Sequence, residues 1–300
     1  MKKMIAVLTL FLAVAAMSWA QVGVPGRASF AKKVEFSLYG GFSLTSAKGT
    51  STYYDNWSET FLVDVKETTN IDFASKTAPF FGGGVSFFFI PNFGIGLNAG
   101  YMRSKIDTTA LFTYHWQWND GRSFTYYAPE DERVPSSWDG LDNYFSSVPI
   151  SLNFIGRFGG RFFQGNIQAG PTLYLNHAYL DSFIGYGVTL VDWPWQWIDA
   201  LKVPVWIDQS WTAIGANFGA GFTVWVAPML GLSLDVRYFF CPKKNLDWSM
   251  EAGEYDGIFF NTIKNWDWDE ADYIYENGLF DIAALNPSFF QILFGIKIGI

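Results

Sequence analysis

The stretch Phe289–Ile300, FFQILFGIKIGI, decides the fold. Bulky apolar residues occupy every second position, and Gln291, Lys297 and two glycines occupy most of the positions between them. A period of two is typical of a β-strand and not of a helix. We expect the apolar face of this strand to meet lipid and its other face to meet a lumen. The strand should also pair with the first strand of the chain, because a barrel in a membrane tolerates no open sheet edge.

Seven earlier segments show the same alternation, with their bulky apolar residues on the outward face. These predicted strands cover residues 34–46, 79–90, 93–103, 148–158, 163–175, 214–226 and 230–240. We therefore predict an all-β fold for residues 34–300, an eight-stranded antiparallel transmembrane up-and-down β-barrel with long extracellular loops. Short turns near Pro91, Gly159 and Pro228 should lie on the periplasmic side, because barrels of this kind keep their long loops outside.

The long segments 47–78, 107–146, 176–210 and 241–287 are predicted to lie outside the membrane. Residues 47–78 have the composition of a small hairpin. A second hairpin is indicated by Asn119-Asp120-Gly121, which stands between two alternating runs. These runs could add two membrane strands and make ten. We favour a hairpin outside the membrane, because its second run is shorter than the ~9–11 residues that a crossing requires.

The N-terminal residues 1–20 have the three parts of a cleaved secretory signal peptide, and residues 21–33 are expected to form a periplasmic lead. Hydrophobic residues make up 50% of the chain and charged residues 16%, yet no second long apolar run occurs, as barrel strands require. The formal net charge of −8 argues against nucleic acid as a partner. Cys241 is the only cysteine, so an internal disulfide is excluded.

Five charged residues fall on the inward faces of predicted strands. An eight-stranded barrel is just wide enough for side chains to fill it, so these charges should pair across the lumen, because an unpaired buried charge is costly. Hydration of each charge in a wet lumen is the alternative. The five are Glu35, Arg157, Asp235, Arg237 and Lys297.

The segment 176–210 is rich in tryptophan, with Trp193, Trp195, Trp197 and Trp206. Such residues anchor barrels at the level of the lipid headgroups. Alternatively, an exposed group of tryptophans could bind an apolar molecule or a sugar by stacking, which makes this segment a candidate ligand-contact loop.

Catalytic and metal chemistry find little support. His115 and His177 are the only histidines, and neither has a recognisable spacing to Ser123 or Ser182 for a nucleophile and its base. A carboxylate group lies in WDWDEAD, residues 266–272, but it lacks the glycine and spacing of a calcium loop. We expect no enzymatic activity, no metal site and no cofactor.

The pieces FIPNFGIGLNAGYM, VPISLNFIGRF, GNIQAGPTLYL and LGLSLDVRYFF, together with the closing strand, resemble the small OmpA/OmpW/OmpX-type outer-membrane barrels. The resemblance covers nearly the whole mature chain. It implies location in the cell outer membrane, contact with outer-membrane lipids, and recognition of the terminal strand by the barrel assembly machinery. The family usually ends in an aromatic residue, whereas this chain ends in Ile300.

Two functions follow as expectations. The first is a narrow, porin-like passage for small apolar solutes. The second is a structural or adhesion protein whose long aromatic, acidic loops contact host or envelope ligands.

Overall fold

The computed structural model describes residues 33–60, 63–118, 121–127, 143–160, 162–192, 195–250, 279–280 and 283–300. The predicted signal peptide and nearly all of the predicted lead lie outside these residues. These residues contain fifteen strands. They are β1 Val34–Thr45, β2 Lys48–Thr60, β3 Val63–Ser75, β4 Ala78–Ile90, β5 Phe93–Trp118, β6 Ser123–Tyr127, β7 Tyr144–Gly159, β8 Phe163–Asp192, β9 Trp195–Trp225, β10 Leu230–Phe240, β11 Lys244–Leu246, β12 Ser249–Met250, β13 Leu279–Phe280, β14 Ala283–Leu285 and β15 Phe289–Gly299.

Eight of these strands close into a ring in the order β1, β4, β5, β7, β8, β9, β10 and β15, and every neighbouring pair is antiparallel. The closing pair runs from Glu35 opposite Gly299 to Thr45 opposite Phe289, as the alternation of the last strand predicted. The hairpin strand β6 pairs with β5 and stays outside the ring. The predicted eight-stranded barrel is therefore confirmed.

The outer surface of the ring is a continuous apolar band. Leu38 and Ile214 are 74% and 73% exposed, and bulky apolar residues at alternate positions of all eight strands are exposed with them. A soluble monomer rarely exposes an apolar surface of this extent, whereas lipid tails accommodate it. The outward faces predicted from the sequence are confirmed. Among the described residues, no helix is long and apolar enough to cross a membrane.

Three short connections lie at one end of the barrel, here called the short-turn end. They are Pro91-Asn92 between β4 and β5, residues 160–162 between β7 and β8, and residues 226–229 between β9 and β10. The start of β1 and the end of β15 lie at the same end, where the Lys33 amide donates to the Ile300 carbonyl at 2.9 Å. The predicted turn positions are confirmed.

The prediction of a loop over residues 176–210 is wrong. Strands β8 and β9 are 30 and 31 residues long and stay paired from Phe163 opposite Val224 to Asp192 opposite Trp195. A tilted strand needs only ~9–11 residues to cross a membrane. The outward apolar alternation stops at Leu175, as expected where a strand leaves the lipid, but the backbone pairing continues to Asp192. We call residues 176–192 and 195–211 the distal hairpin.

Other strands extend on the same side as the distal hairpin. The predicted hairpin of residues 47–78 is present as β2 and β3, and β3 pairs with the far part of β5. The segment 241–287, predicted as a loop, contains the short strands β11 to β14. The carboxylate group of residues 266–272 lies outside the described residues.

Candidate functional site: the barrel lumen

The lumen contains layers of different chemistry. A polar layer lies toward the short-turn end and surrounds a cavity of about 30 Å³, which we call the lumen chamber. An apolar layer lies above it, toward the distal hairpin. All five charged residues singled out from the sequence line the lumen chamber: Glu35, Arg157, Asp235, Arg237 and Lys297.

One ion pair spans the chamber. The Arg157 guanidinium donates from Nη1 to Glu35 Oε1, and the two side chains are only 5% and 7% exposed. Strands β1 and β7 are not neighbours in the ring, so the pair crosses the interior. Arg157 also donates to the Pro91 carbonyl at 3.1 Å from Nε and 3.0 Å from Nη2, and its guanidinium stacks 3.7 Å from the centroid of the Phe88 ring. The Arg157 guanidinium is therefore removed from solvent, and it donates hydrogen bonds to a carboxylate and to a backbone carbonyl.

The other three charges are arranged differently. Among the described residues, Asp235, Arg237 and Lys297 form no ion pair within 4.0 Å. Asp235 is 2% exposed and accepts a long hydrogen bond of 3.5 Å from Asn166 Nδ2. The Arg237 guanidinium lies 4.7 Å from the centroid of the Tyr39 ring, and its Nε has no hydrogen-bond partner in the described part of the chain.

The glycines of β4 make room for the side chains of Tyr39 and Asn98. A Cβ on Gly82 would lie 2.6 Å from the Tyr39 ring, and one on Gly84 would lie 2.2 Å from Asn98 Oδ1. Tyr39 therefore reaches across β4 and donates to the Gly83 carbonyl at 3.1 Å. Any larger residue at position 82 or 84 would displace a side chain of the lumen.

The apolar layer is a packed aromatic cluster, which we call the plug. The Phe239 and Phe289 rings stack with 4.8 Å between centroids, and Tyr174 meets both edge-on at 6.4 and 6.3 Å. The Tyr174 hydroxyl donates to the carbonyls of Ala216 and Phe240 at 3.1 and 3.0 Å. Further buried members of this layer are Tyr39, Phe80, Met102, Phe145, Cys241 and Leu293.

Between plug and chamber lies a layer of hydrogen-bonded amides and hydroxyls. Asn217 Nδ2 donates to Asn153 Oδ1 at 2.7 Å and to Thr172 Oγ1 at 2.8 Å, and Thr172 shares a 2.9 Å hydrogen bond with Ser151. All four side chains are at most 2% exposed. Side chains therefore occupy this level of the barrel as well.

Three of the tryptophans predicted as a ligand-contact loop, Trp195, Trp197 and Trp206, lie in the part of β9 that belongs to the distal hairpin. Trp193 lies outside the described residues, and for Trp195 and Trp197 the structure describes only the backbone, as part of β9. Trp206 is half-buried, with its backbone between Asp181 of β8 and Ser249 of β12. The backbone thus holds three of the four tryptophans in strands, contrary to the predicted loop.

The two histidines lie far apart in the fold. His115 is in the outer part of β5, and His177 is in β8. The serine bonded to His177 is Ser210, at 2.8 Å from Nδ1, and neither Ser123 nor Ser182 has this role. Sequence reasoning missed Ser210, because its place opposite His177 follows from the pairing of β8 and β9.

The other nitrogen of His177 does not complete a catalytic arrangement. Nε2 is 2.9 Å from the Tyr144 hydroxyl, whereas Asp208 Oδ1 is 3.6 Å away, beyond an ordinary hydrogen bond. The described backbone amides around His177 belong to the paired ladder, so they supply no oxyanion hole.

No group of three or more His, Cys, Asp or Glu side chains suited to a metal ion occurs among the described residues. Cys241 lies just past the end of β10 and is buried in the top of the plug. Burial raises the pKa of its thiol to about 11, although a hydrogen bond from Asn176 acts in the opposite direction.

No protein-family model matches the chain, and no curated protein sequence matches it. Among solved structures, the chain is similar to the outer-membrane protease OmpT of Escherichia coli, with 10% identity, coverage of 89% of this chain and 97% of that chain, and a TM-score of 0.40. It is also similar to Ail of Yersinia pestis, with 10% identity, coverage of 89% and 98%, and a TM-score of 0.34.

A third similar structure is the N-terminal β-barrel domain of Pseudomonas aeruginosa OprF, with 10% identity, coverage of 90% and 98%, and a TM-score of 0.32. Every one of these TM-scores is below 0.5. The assignment of an eight-stranded membrane barrel therefore rests on the strand pairing and the exposed apolar band.

Proposed function

We propose that the chain is an outer-membrane protein of the OmpA/OmpW/OmpX-like type, exported through a cleaved signal peptide. Its barrel is an anchor, and its role is structural or adhesive, carried by the distal hairpin and the strands beside it. The single observation that supports this role is the plug, because a barrel filled by packed aromatic rings is a poor passage and a good support.

A narrow passage for small apolar solutes is the competing function, and the lumen disfavours it. A solute on that route would have to displace Tyr174, Phe239 and Phe289, which pack against one another at the level of the plug. Below them, the lumen chamber of about 30 Å³ holds no more than a few water-sized groups. A passage would need both layers to rearrange.

The length of the distal hairpin supports a role outside the membrane. Residues 176–192 of β8 form a strand of about 50 Å at ~3.3 Å per residue, longer than the thickness of a hydrocarbon core. Paired strands of this length hold a surface well away from the lipid. The partners we propose are outer-membrane lipids around the apolar band, the barrel assembly machinery during insertion, and a host or envelope ligand at the distal hairpin.

Single-channel conductance of the refolded protein in planar bilayers tests the closed lumen. We expect no steps above the baseline of protein-free lipid. A Phe239→Ala, Phe289→Ala double variant should introduce conductance or raise ion leakage, because it removes two stacked rings of the plug. Steady conductance steps from the wild-type protein would contradict the anchor role and favour the passage.

The proposed structural or adhesive role is tested by shortening the distal hairpin without disturbing the plug. Replacing residues 183–204 by Asn-Gly leaves Ser182 opposite Val205 as the closing pair of a two-residue turn. The variant removes three of the four tryptophans. We expect normal insertion and heat stability of the barrel, with loss of adherence of expressing cells to surfaces or to neighbouring cells.

A matched control separates hairpin length from tryptophan chemistry. The variant Trp193→Ala, Trp195→Ala, Trp197→Ala keeps the length and removes the rings. Adherence unchanged in the shortened variant would overturn the proposed role. Uptake of an apolar dye into vesicles that is above the empty-vesicle level, and is lost in the alanine variant, would support the passage.

A further inference from the structure

The outward apolar band ends in a charged surface at its distal boundary, the edge nearer the distal hairpin. On the outward face of β5, Leu97 and Tyr101 are 52% and 48% exposed, and the next two outward residues are the exposed cations Arg103 and Lys105. At ~3.3 Å per residue, Arg103 lies about 7 Å beyond Tyr101 along the strand. Lipid headgroups occupy the ~5–8 Å next to a hydrocarbon core, so Arg103 lies at the level of the headgroups.

Arg103 is an exposed cation that no described carboxylate neutralises. It forms no ion pair within 4.0 Å with any residue that the structure describes. Two carboxylates on this outward surface have other neighbours. Asp107 pairs with Lys76 at 2.8 Å. Asp208 Oδ1 lies 3.6 Å from His177 Nε2. A negatively charged group from outside the chain would therefore find the Arg103 guanidinium without a competing carboxylate.

The Arg103 guanidinium is held in place by an aromatic ring. It lies 3.8 Å from the centroid of the Tyr144 ring. Stacking uses the face of a guanidinium and leaves the N–H groups at its edge for an acceptor. The Tyr144 hydroxyl lies 2.9 Å from His177 Nε2, and His177 Nδ1 lies 2.8 Å from Ser210 Oγ, so the ring is fixed as well. Lys105 is directly opposite Tyr144 in the pairing of β5 with β7. We call Arg103, Lys105, Tyr144 and His177 the boundary shelf.

We propose that the boundary shelf binds the phosphate of an anionic lipid whose acyl chains lie on the apolar band beside β5, β7 and β8. The Arg103 guanidinium donates two parallel hydrogen bonds to phosphate oxygens, and Lys105 adds positive charge. The exposed side chains of Tyr101, Leu152 and Leu175 form the apolar surface for the chains. This inference depends on the lipid-facing band and not on the anchor role, and it holds whichever side of the membrane the distal end faces.

A lipid is favoured over a free phosphate because the charged part of the shelf is exposed to solvent. One guanidinium and one ammonium at an exposed site bind a free anion weakly, since water and salt screen their charges. Acyl chains seated on the adjoining band add binding of their own and keep the phosphate close to the shelf. The continuity between band and shelf is therefore the feature that selects the occupant.

Native mass spectrometry of the refolded mature chain in neutral detergent measures retained lipid. The probe is dioleoyl-phosphatidylglycerol, and dioleoyl-phosphatidylcholine, with the same chains and no net charge, is the comparison. We expect one phosphatidylglycerol to stay bound under conditions that remove phosphatidylcholine. Arg103→Gln should weaken this retention roughly five- to tenfold. The control Lys33→Gln also removes one exposed positive charge, at the short-turn end, and should leave retention unchanged.

The variant Arg103→Lys separates a shaped site from a general attraction of charge. It keeps the positive charge and loses the planar fork that stacks on Tyr144. We expect its retention of phosphatidylglycerol to be closer to that of Arg103→Gln than to that of the wild type. Equal retention of the two lipids by the wild type, or unchanged retention in Arg103→Gln, would contradict the proposed site. Arg103 is exposed and outside the lumen, so all these variants should unfold at the wild-type temperature.

The position and the source of the phosphate are measured on the wild-type protein, which needs no substitution. In phosphatidylcholine vesicles, a phosphatidylglycerol with a diazirine on its headgroup should crosslink to the peptides of β5 and β7 around Arg103 and Tyr144. Crosslinks spread evenly around the barrel would overturn the proposal. Excess glycerol 1-phosphate, the headgroup phosphate without chains, should leave the crosslinking unchanged. Loss of crosslinking in its presence would show that the shelf binds a free phosphate ester, and the lipid assignment would then be wrong.

Discussion

The plug and the lumen chamber occupy the same barrel, yet different interactions fill them. In the plug, the Tyr174, Phe239 and Phe289 rings pack against one another, and the Tyr174 hydroxyl lies within hydrogen-bond distance of two backbone carbonyls. In the chamber, the Glu35–Arg157 ion pair crosses the interior, and charged and amide side chains line the cavity. The barrel is therefore closed by packed rings at the level of the plug and crossed by a buried ion pair at the level of the chamber. We expect substitutions at the two levels to change the free energy of unfolding by different amounts.

The largest effect is expected in the plug. Phe289→Ala removes a fully buried ring that stacks on Phe239, so the free energy of unfolding should fall by about 3–5 kcal/mol, measured by urea titration in lipid vesicles. The control is Ile296→Ala on the outward face of the same strand. Ile296→Ala should lower the free energy of unfolding by clearly less than Phe289→Ala does, because lipid tails fill the vacated space. Equal losses would remove the distinction between packed plug and lipid-facing band.

The second-largest loss in the free energy of unfolding is expected in the chamber. Glu35→Gln leaves the Arg157 guanidinium buried without a counter-charge, so we expect a loss of roughly 2–3 kcal/mol in the free energy of unfolding. The double variant Glu35→Gln, Arg157→Met should recover part of that loss, because the guanidinium that had lost its counter-charge is then removed as well. Additive losses in the double-mutant cycle would indicate that the two side chains act independently.

A smaller effect is expected when the Tyr174 hydroxyl is removed from the plug. Tyr174→Phe keeps the ring and removes the hydroxyl that donates to the Ala216 and Phe240 carbonyls. The free energy of unfolding should fall by about 1 kcal/mol, the usual value of a hydrogen bond. Tyr174→Leu, which also removes aromatic area, should cost more. If both substitutions lower the free energy of unfolding equally, the hydroxyl rather than the ring would account for the stability that Tyr174 contributes.

The smallest perturbation is chemical labelling of the plug without any substitution. The Cys241 thiol is buried with its pKa raised to about 11, so only a minute fraction is thiolate at pH 8. A thiol reagent should label it far more slowly than it labels the urea-unfolded chain. The rate should rise with pH toward 11 as the thiolate fraction grows. Rapid labelling of the folded protein at pH 8 would show that the plug opens readily.

The ring and its faces were predictable from sequence, because lipid favours bulky apolar residues at alternate positions of each of the eight ring strands. The strand lengths were not. Beyond Leu175 the regular apolar alternation ends, so the sequence of the distal hairpin resembles a loop although the backbone stays paired. The tryptophans at alternate positions, Trp193, Trp195 and Trp197, were a strand signal that the prediction assigned to a loop.

The placement of the lumen charges was predictable only in part. Alternation shows that Glu35 and Arg157 face inward, but it does not give their heights in the barrel or the path across the ring that joins them. The same limit applies to Arg237, whose Nε has no hydrogen-bond partner within the described residues. Such pairings depend on the stagger of eight strands, which no local pattern encodes.

The seam between β1 and β15 makes the order of strands around the barrel a circle rather than a line. Because Lys33 and Ile300 are hydrogen-bonded to each other at the short-turn end, a linker of a few residues would join them without strain. New termini could then be opened in the exposed connection at Gly160. Such a circularly permuted chain would begin with β8 and end with β7, and the same eight strands would still close.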